Sequence, residues 1–571
     1  SVCCGHPEYG ITDGVECTAG PLGQGVSMAV GMALAESMLA ARFNTKNHTI
    51  VDHYTYSLVG EGCLEEGIYS EASSLAGTVK LGKLIVFYDM NKISIDGSTD
   101  ITFNEDVAKR YEAYGWQVLR GDMYKPAGIV KLVEKAKKCK DKPTLIILKS
   151  IIGFSSPKQG TADTHGAPLG ADGIKHAKKV LGLPEDKDFY VVPEAYEYFA
   201  TKKAEFQAAE DRWNAEFEAW SKENPDLRKK WDEFHSDSAT SDVADVEFAD
   251  TDKMATRDAS GKALNMMCQK YGNIVGGSAD LAGPNKTVLK DCDGIYTPEN
   301  RIGRTIEYGI REFAMSAVCS GIALHGGLRP FCATFLVFAD YLRPSLRVVS
   351  LMKQPVIYVF THDSIYVGED GPTHHGMLDM AALRPIPNLT IASPMNETEL
   401  RNLMFTAQLP DKGPFAIRYP RGRGVNTDWC QPMEELPIGK GRKLKDGSDM
   451  AVITIGPIGN KVTEALRMLQ EESYPHSIAH YDMRFLKPID EQILEEVGKQ
   501  FKHIITVEDG VRNGGLGTAV VEWMNDHGYT PHVKRLGLPD IFVEHGTVNQ
   551  LQALVGIDSE AIIKAIKEIK Q

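Results

Sequence analysis

Gly60-Glu61-Gly62-Cys63 follows the apolar run Tyr56-Ser57-Leu58-Val59, and Asp89-Met90-Asn91 closes the run Leu84-Ile85-Val86-Phe87-Tyr88. Both runs are short, apolar and bounded by turn residues, so both read as strands. Two neighbouring strand ends that carry an acid and an amide can hold a divalent ion, and the glycines let a diphosphate approach the backbone. Taken alone, each stretch is equally an ordinary turn at a strand end.

The surrounding sequence extends the pattern. Gly20-Pro21-Leu22-Gly23-Gln24-Gly25 opens a helix over Val26–Leu39 that is rich in small residues and reads as buried. Strands over 84–89 and 144–150 alternate with helices such as 127–138, which predicts a parallel sheet within residues 1–185. From Glu194 to Trp231 the chain is dense in Ala, Glu, Lys and Trp with helical periodicity, and His235–Ser241 breaks it, so 186–250 reads as a helical linker. A second α/β unit spans 251–430, with a strand Pro355–Phe360 followed by polar residues, as a ligand-bearing strand end requires. A third covers 431–571, with strands over 450–454 and 503–507.

Composition narrows the function classes. With 571 residues, a prior of roughly 150 per domain gives three or four domains. A hydrophobic share of 43% and a charged share of 25% are ordinary for a soluble enzyme. The net charge of −14 argues against nucleic acid as a partner, whereas a local arginine cluster still suits a sugar phosphate. The 10 cysteines show no metal-type spacing, which points to reduced thiols and a cytoplasmic protein. Cys3-Cys4 reads either as a redox pair or, more simply, as two small buried residues. No apolar run reaches the ~18 residues of a membrane span.

With Lys92-Ile93-Ser94-Ile95-Asp96-Gly97 following the two strand ends, the block closely resembles transketolase, a thiamine diphosphate-dependent family. The resemblance implies an α/β protein of three doubly wound domains: a diphosphate-binding domain over 1–185, a pyrimidine-binding domain over 251–430 and a C-terminal domain over 431–571. It implies thiamine diphosphate held with Mg²⁺, and Glu61, Asn91 and the Ile93 carbonyl as metal ligands. Gly20, Leu22, Gly60 and Gly62 would line the cofactor, and Asp280 would join them from Ser278–Asn285. Glu312, in Gly309-Ile310-Arg311-Glu312, matches the family's glutamate, whose carboxyl shares a proton with the aminopyrimidine and promotes deprotonation of thiazolium C2. Phe335, Phe338 and Tyr341 recur at i, i+3 and i+6, which predicts one helical face; the family places them around the aminopyrimidine.

Four histidines fall in matched motifs: His6 in Gly5–Glu8, His165 in Thr164–Gly170, His362 in Thr361–Ser364 and His374 in Val367–His374. Near the cofactor they would relay protons from sugar hydroxyls, with His165 also beside the diphosphate and Asp370 accepting from a hydroxyl. Arg257 and Arg418 match phosphate-gripping positions, where a guanidinium binds in bidentate fashion. Glu66 and Glu71 resemble acids that link two active sites in a dimer, and equally fit an exposed helix face. The implied reaction is reversible transfer of a two-carbon ketol unit between sugar phosphates, in the pentose phosphate pathway, by a homodimer with shared sites.

The sequence departs from the family at several points. Gly-Glu-Gly replaces Gly-Asp-Gly at 60–62; the longer acid favours Ca²⁺ or Mn²⁺ beside Mg²⁺. Phe313 stands for a histidine and Pro284 for a serine, which removes a hydroxyl from the phosphate site. After His374, stretches such as Arg418–Gly422, Arg484–Pro488, Val507–Gly510 and Val543–Gly546 are more similar to 1-deoxyxylulose-5-phosphate synthase. That relative condenses pyruvate with glyceraldehyde 3-phosphate, an alternative activity. The family also carries a stretch before the Gly5–Glu8 motif that this sequence does not include; a fragment, a tolerated loss, a second polypeptide filling the gap and an inactive chain all remain open.

Overall fold

The computed structural model describes residues 4–236, 255–422, 425 and 433–569. Cys3, the break over 237–241 and the expected boundaries at 250/251 and 430/431 lie outside the described residues. The chain forms two compact units, one of residues 1–235 with 297–302 and 324–327, the other of the remainder.

The first unit is built on a four-stranded parallel sheet in the order Thr55–Val59, Leu84–Met90, Thr144–Lys149, Gln117–Asp122. The predicted strands and the 127–138 helix are present, the helix as Pro126–Lys138. The small-residue helix runs over Gln24–Phe43 and packs on Gly67–Thr78. Gly23, just before it, takes φ 78°, and a β-carbon there would meet Ile68 Cγ2 at 2.8 Å, so both conformation and space require glycine. This helix is long and apolar enough to cross a bilayer, contrary to the reading of the sequence, but 72% of its apolar window is buried in the unit. Its Glu36 is buried too and meets Lys83 Nζ at 2.6 Å, as a core position demands.

The expected linker is two helices, Pro193–Glu223 and Pro225–Phe234, parted where Pro225 cannot continue the first. They are docked rather than free. Phe43 meets Trp231 and Phe234 edge-on at 5.1 and 5.2 Å, and Trp220 is wholly buried beside it.

The second unit holds two sheets. One has six strands in the order Phe485–Lys487, Thr390–Ala392, Phe415–Arg418, Ile357–Thr361, Arg329–Phe335, Ile274–Ser278, parallel except for the first. The other has five in the order Arg442–Lys445, Ile478–Asp482, Met450–Thr454, His503–Val511, His532–Leu538, parallel except for the first. Ile274–Ser278, Ile357–Thr361 and Met450–Thr454 are buried along their whole length, which is why the last two read as apolar runs and not as alternations. The fold class is α/β with helices on parallel sheets. Phe485–Lys487 lends an edge strand to the sheet of the preceding segment, so the chain recrosses the expected boundary at 430/431.

Candidate functional site

In the first unit, parallel pairing sets Val59 opposite Tyr88, so the two strands end side by side. Gly60 and Glu61 leave one end, Asn91 the other. Glu61 is 3% exposed. Its Oε1 accepts from the Lys92 amide at 2.5 Å and from the Tyr88 hydroxyl at 3.4 Å, while Asn91 Oδ1 accepts from the Ile93 amide at 3.0 Å. Burial pushes the Glu61 carboxyl up, the amides of Lys92 and Asn91 pull it back, and Asp89 adds to the rise. The structure thus brings Glu61, Asn91 and Ile93 into one loop cluster. Gly60 faces open space, whereas a β-carbon on Gly62 would strike Leu22 Cδ1 at 2.9 Å. Gly62 therefore serves the approach of the Gly20–Gly25 loop, and Gly60 leaves room for a ligand.

His6 packs on the same loop, its Cβ 3.3 Å from where a Gly20 β-carbon would sit. His6 and His165 are both exposed, His165 just after the short turn Ala162–Thr164. Glu66 is exposed and Glu71 half-buried at the start of the Gly67–Thr78 helix.

In the second unit, Glu312 is the first residue of the Glu312–His325 helix. It is buried rather than a surface partner of Arg311, and burial pushes its carboxyl up. The three aromatic residues do not share a helical face. Phe335 ends a strand, Phe338 ends a tight turn and Tyr341 lies in the following helix, Ala339–Leu351. The rings still meet: Phe335 stacks on Phe338 at 6.0 Å, and Phe338 is edge-on to Tyr341 at 6.1 Å and to His374 at 5.7 Å. His362 joins them from the end of Ile357–Thr361, stacked on Phe335 at 3.8 Å. Its φ of 56° lies in the left-handed region, a strained setting for a non-glycine residue.

His362 is 2% exposed. Burial, then the charges of Arg257 and Arg421, lower its pKa to about 4. The Thr361 hydroxyl donates to Asn285 Oδ1 at 2.7 Å and meets His362 Nδ1 at 2.6 Å. That hydroxyl proton is already committed, so Nδ1 carries a hydrogen and Nε2 is left as an acceptor. Asp370 and Asp280 are exposed, Asp280 with φ 57°. Pro284 is exposed in the turn Ala282–Asn285.

The expectation for Arg418 fails. Its guanidinium is sealed in the core, Nη2 3.2 Å from Asp363 Oδ2 and Nη1 2.9 Å from Asp509 Oδ1. Burial and two carboxylates on the guanidinium turn it to the core and not to a solvent-open phosphate site. Arg421, three residues on and past Pro420, is the arginine that acts on His362 together with Arg257. Arg421 is partly exposed and only loosely paired, 3.6 Å from Glu369. The sequence carried the signal, since Arg418-Tyr419-Pro420-Arg421 contains both. Arg257 Nε is buried without a hydrogen-bond partner, as are Nε and Nη2 of Arg418.

The residues present fit thiamine diphosphate and a divalent cation. Glu61 is a buried carboxylate whose hydrogen-bond partners are all neutral, a setting that a cation would complete. Only one carboxylate is in this set, and among the described residues no group of three or more His, Cys, Asp or Glu converges elsewhere for a metal. The rings of Phe335 and Phe338 offer flat apolar faces to a heterocycle.

Comparison with known proteins identifies the family. Family models described as "Transketolase, thiamine diphosphate binding domain", "Transketolase, pyrimidine binding domain" and "Transketolase, C-terminal domain" match residues 1–239, 252–425 and 439–562. A transketolase of Treponema pallidum is 51% identical over 481 residues, covering 82% of this chain and 72% of its own. The solved transketolase of Leishmania mexicana superposes with a TM-score of 0.90 at 32% identity, covering 100% of this chain and 83% of its own. A Pichia stipitis transketolase solved with sedoheptulose 7-phosphate gives 0.89 at 32%, covering 100% and 84%. The stretches that resemble the synthase thus fall within segments that the transketolase models match. Matched in chain order by all three models and by whole-fold superposition, the chain belongs to the transketolase family of thiamine diphosphate-dependent transferases.

Proposed function

We propose that this chain transfers a two-carbon ketol unit reversibly between a ketose phosphate and an aldose phosphate, with Mg²⁺ at Glu61, Asn91 and the Ile93 carbonyl. The observation that carries the substrate class is Arg257, whose buried unpartnered Nε and charge lie beside His362 together with the charge of Arg421. Two guanidinium groups beside a neutral imidazole suit a phosphate tail with hydroxyls leading inward. The working form is a cytoplasmic homodimer of the pentose phosphate pathway. Its domains are 1–185, 251–430 and 431–571, with 186–250 between the first two.

Thiamine diphosphate, when bound, supplies the carbon nucleophile. Glu312, its carboxyl raised by burial, would share a proton with the aminopyrimidine. His362 Nε2, an acceptor at neutral pH, takes a proton from a sugar hydroxyl as the C–C bond breaks and returns it in the reverse direction. His374, His6 and His165 serve the same hydroxyls and the diphosphate, and Asp370 accepts from a further hydroxyl. Phe335, Phe338 and Tyr341 exclude water around the ring. Leu22, Gly20, Gly60, Gly62 and Asp280 shape the cofactor's bed.

The test incubates the protein with thiamine diphosphate and Mg²⁺ and compares two mixtures, xylulose 5-phosphate with ribose 5-phosphate and pyruvate with glyceraldehyde 3-phosphate. Sedoheptulose 7-phosphate from the first is the expected outcome. Carbon dioxide and deoxyxylulose phosphate from the second would replace this reading with synthase chemistry.

A further inference from the structure

Two polar members of the Ser278–Asn285 segment, Ser278 and Asn285, are wholly buried, and neither belongs to the proposed cofactor or phosphate contacts. Ser278 ends the strand Ile274–Ser278, and Asn285 closes the turn Ala282–Asn285. The backbone of the turn is fixed. The Asn285 amide donates to the Leu281 carbonyl at 2.9 Å, the Thr287 amide to the Ala282 carbonyl at 3.0 Å, and Lys286 takes φ 58°. The Asn285 side chain is thereby set between two strand ends that do not pair, since Arg329–Phe335 lies between Ile274–Ser278 and Ile357–Thr361. Strands once removed in a sheet are about 10 Å apart, too far for their hydroxyls to meet directly.

A carboxamide spans that gap because it carries an acceptor and a donor on one group. Its Oδ1 accepts from the Thr361 hydroxyl at 2.7 Å, and its Nδ2 donates to Ser278 Oγ at 3.1 Å. Ser278 Oγ in turn lies 2.6 Å from Thr287 Oγ1, and Thr361 Oγ1 lies 2.6 Å from His362 Nδ1. Every member is at most 2% exposed, so bulk water does not satisfy a group left over. The chain of bonds therefore has a direction. With Oδ1 toward Thr361, the threonine proton goes to Asn285 and the His362 Nδ1–H donates to the threonine oxygen. Turned over, the amide would donate to Thr361, the hydroxyl would donate to Nδ1, and the hydrogen of the neutral ring would sit on Nε2. The orientation of one buried amide and the tautomer of the imidazole are thus a single variable.

We propose that Asn285 is a positioning residue for the reaction, holding His362 through the Thr361 hydroxyl in the Nδ1–H form so that Nε2 keeps its lone pair for the proton of a sugar hydroxyl. The role given to Nε2 rests on the ketol-transfer reading, whereas the tautomer and its control by Asn285 rest on the hydrogen bonds alone. Asn285 is not a catalytic residue, since it reaches the imidazole only through Thr361.

The test labels the full chain with ¹⁵N-histidine and reads the two ring nitrogens of His362 at neutral pH without cofactor or substrate, with His362→Gln supplying the assignment. The native sequence is expected to show a protonated Nδ1 and an unprotonated Nε2. Asn285→Leu, close to the amide in shape, frees the Thr361 hydroxyl to donate to Nδ1. It should move the hydrogen to Nε2 and lower kcat for ketol transfer by about 10²-fold. Asn285→Asp places a carboxyl that still accepts from Thr361 and should keep the native tautomer. Thr361→Val, nearly isosteric, removes the acceptor and should let both tautomers appear. An amide with a merely structural role would change the melting temperature in these variants and leave the ring nitrogens as they are. That result in Asn285→Leu, or an Nε2–H ring in the native sequence, would overturn the proposal. If Asn285→Leu does not fold, Thr361→Val decides, and a ring that stays wholly Nδ1–H there overturns it. The spectra need no turnover, so the expected tautomers in a chain without ketol transfer would uphold the control by Asn285 and count against the reaction alone.

Discussion

The imidazole of His362 lies face to face with Phe335, centroids 3.8 Å apart and planes within 24°. An imidazolium would lose its hydration in that position and face the charges of Arg257 and Arg421, so the neutral form is the one the fold accepts. The depressed pKa, about 4, is therefore also a statement about stability. The unfolded histidine takes up a proton near pH 6.5 and the folded one only near pH 4. His362 thus contributes its full share above pH 6.5, and that share is lost as pH falls toward 4, by about 3 kcal/mol in all. In ¹³C-labelled histidine spectra, the His362 resonance should not titrate between pH 5 and 8. The stability of His362→Gln should fall less steeply than that of the native sequence over pH 6.5 to 4. Titration of His362 near 6.5 would refute the neutral imidazole argued for the site.

Arg418 and Arg257 should part company on mutation. Arg418→Met leaves Asp363 and Asp509 buried without their cation, which costs roughly 3–5 kcal/mol for a broken buried pair. A large fall in melting temperature or loss of soluble protein is expected. Arg257→Leu should leave the melting temperature within a few degrees and raise KM for a phosphorylated acceptor about tenfold or more, a loss of ~1.4 kcal/mol. The unphosphorylated sugar should show little change. An Arg418 variant that melts normally and loses only phosphate affinity would restore the reading taken from sequence.

These two arginines mark the limit of what the sequence discloses. Glu61 and Asn91 were legible because a strand end and its first turn are local, and the two strands that carry them pair directly. The parallel sheets were legible because strands buried on both faces read as unbroken apolar runs. Arg418 was not, because Asp363 and Asp509, which hold it, come from segments far away in the chain. The spacing of Phe335, Phe338 and Tyr341 imitated a helix across a strand, a turn and a helix, and only the tertiary fold shows that the rings meet regardless. The docking of the two helices over 193–234 was hidden likewise, since their aromatic partner, Phe43, ends a helix near the start of the chain.

The extra methylene of Glu61 has a measurable consequence. Its carboxylate is drawn 2.5 Å onto the Lys92 amide, inside the loop that supplies Asn91 and Ile93. Glu61→Asp retracts the oxygen from that amide toward the open space beside Gly60 and should tighten Mg²⁺-dependent binding of thiamine diphosphate about tenfold, or ~1.4 kcal/mol. Glu61→Gln removes the charge and should weaken it by at least as much. Quenching of tryptophan fluorescence during titration of the cofactor at fixed Mg²⁺ reads both variants, and chelation with EDTA supplies the baseline. Unchanged or weaker affinity in Glu61→Asp would show that the longer acid is matched to its loop.

Glu312 tests the division of labour at the cofactor. The carboxyl is buried at the first turn of its helix, and burial is the cause that raises its pKa. A group there that shares a proton with the aminopyrimidine has no substitute in a carboxamide, so Glu312→Gln should lower kcat by about 10²–10⁴-fold. Cofactor affinity should change far less, because Glu61, Asn91 and the glycine loop are the proposed holders of the diphosphate and cation. Exchange of the cofactor's C2 proton for deuterium, followed by NMR in rapid-quench samples, isolates the step from substrate binding and should slow by a similar factor. An unchanged exchange rate with a lowered kcat would move Glu312 from proton sharing to substrate positioning.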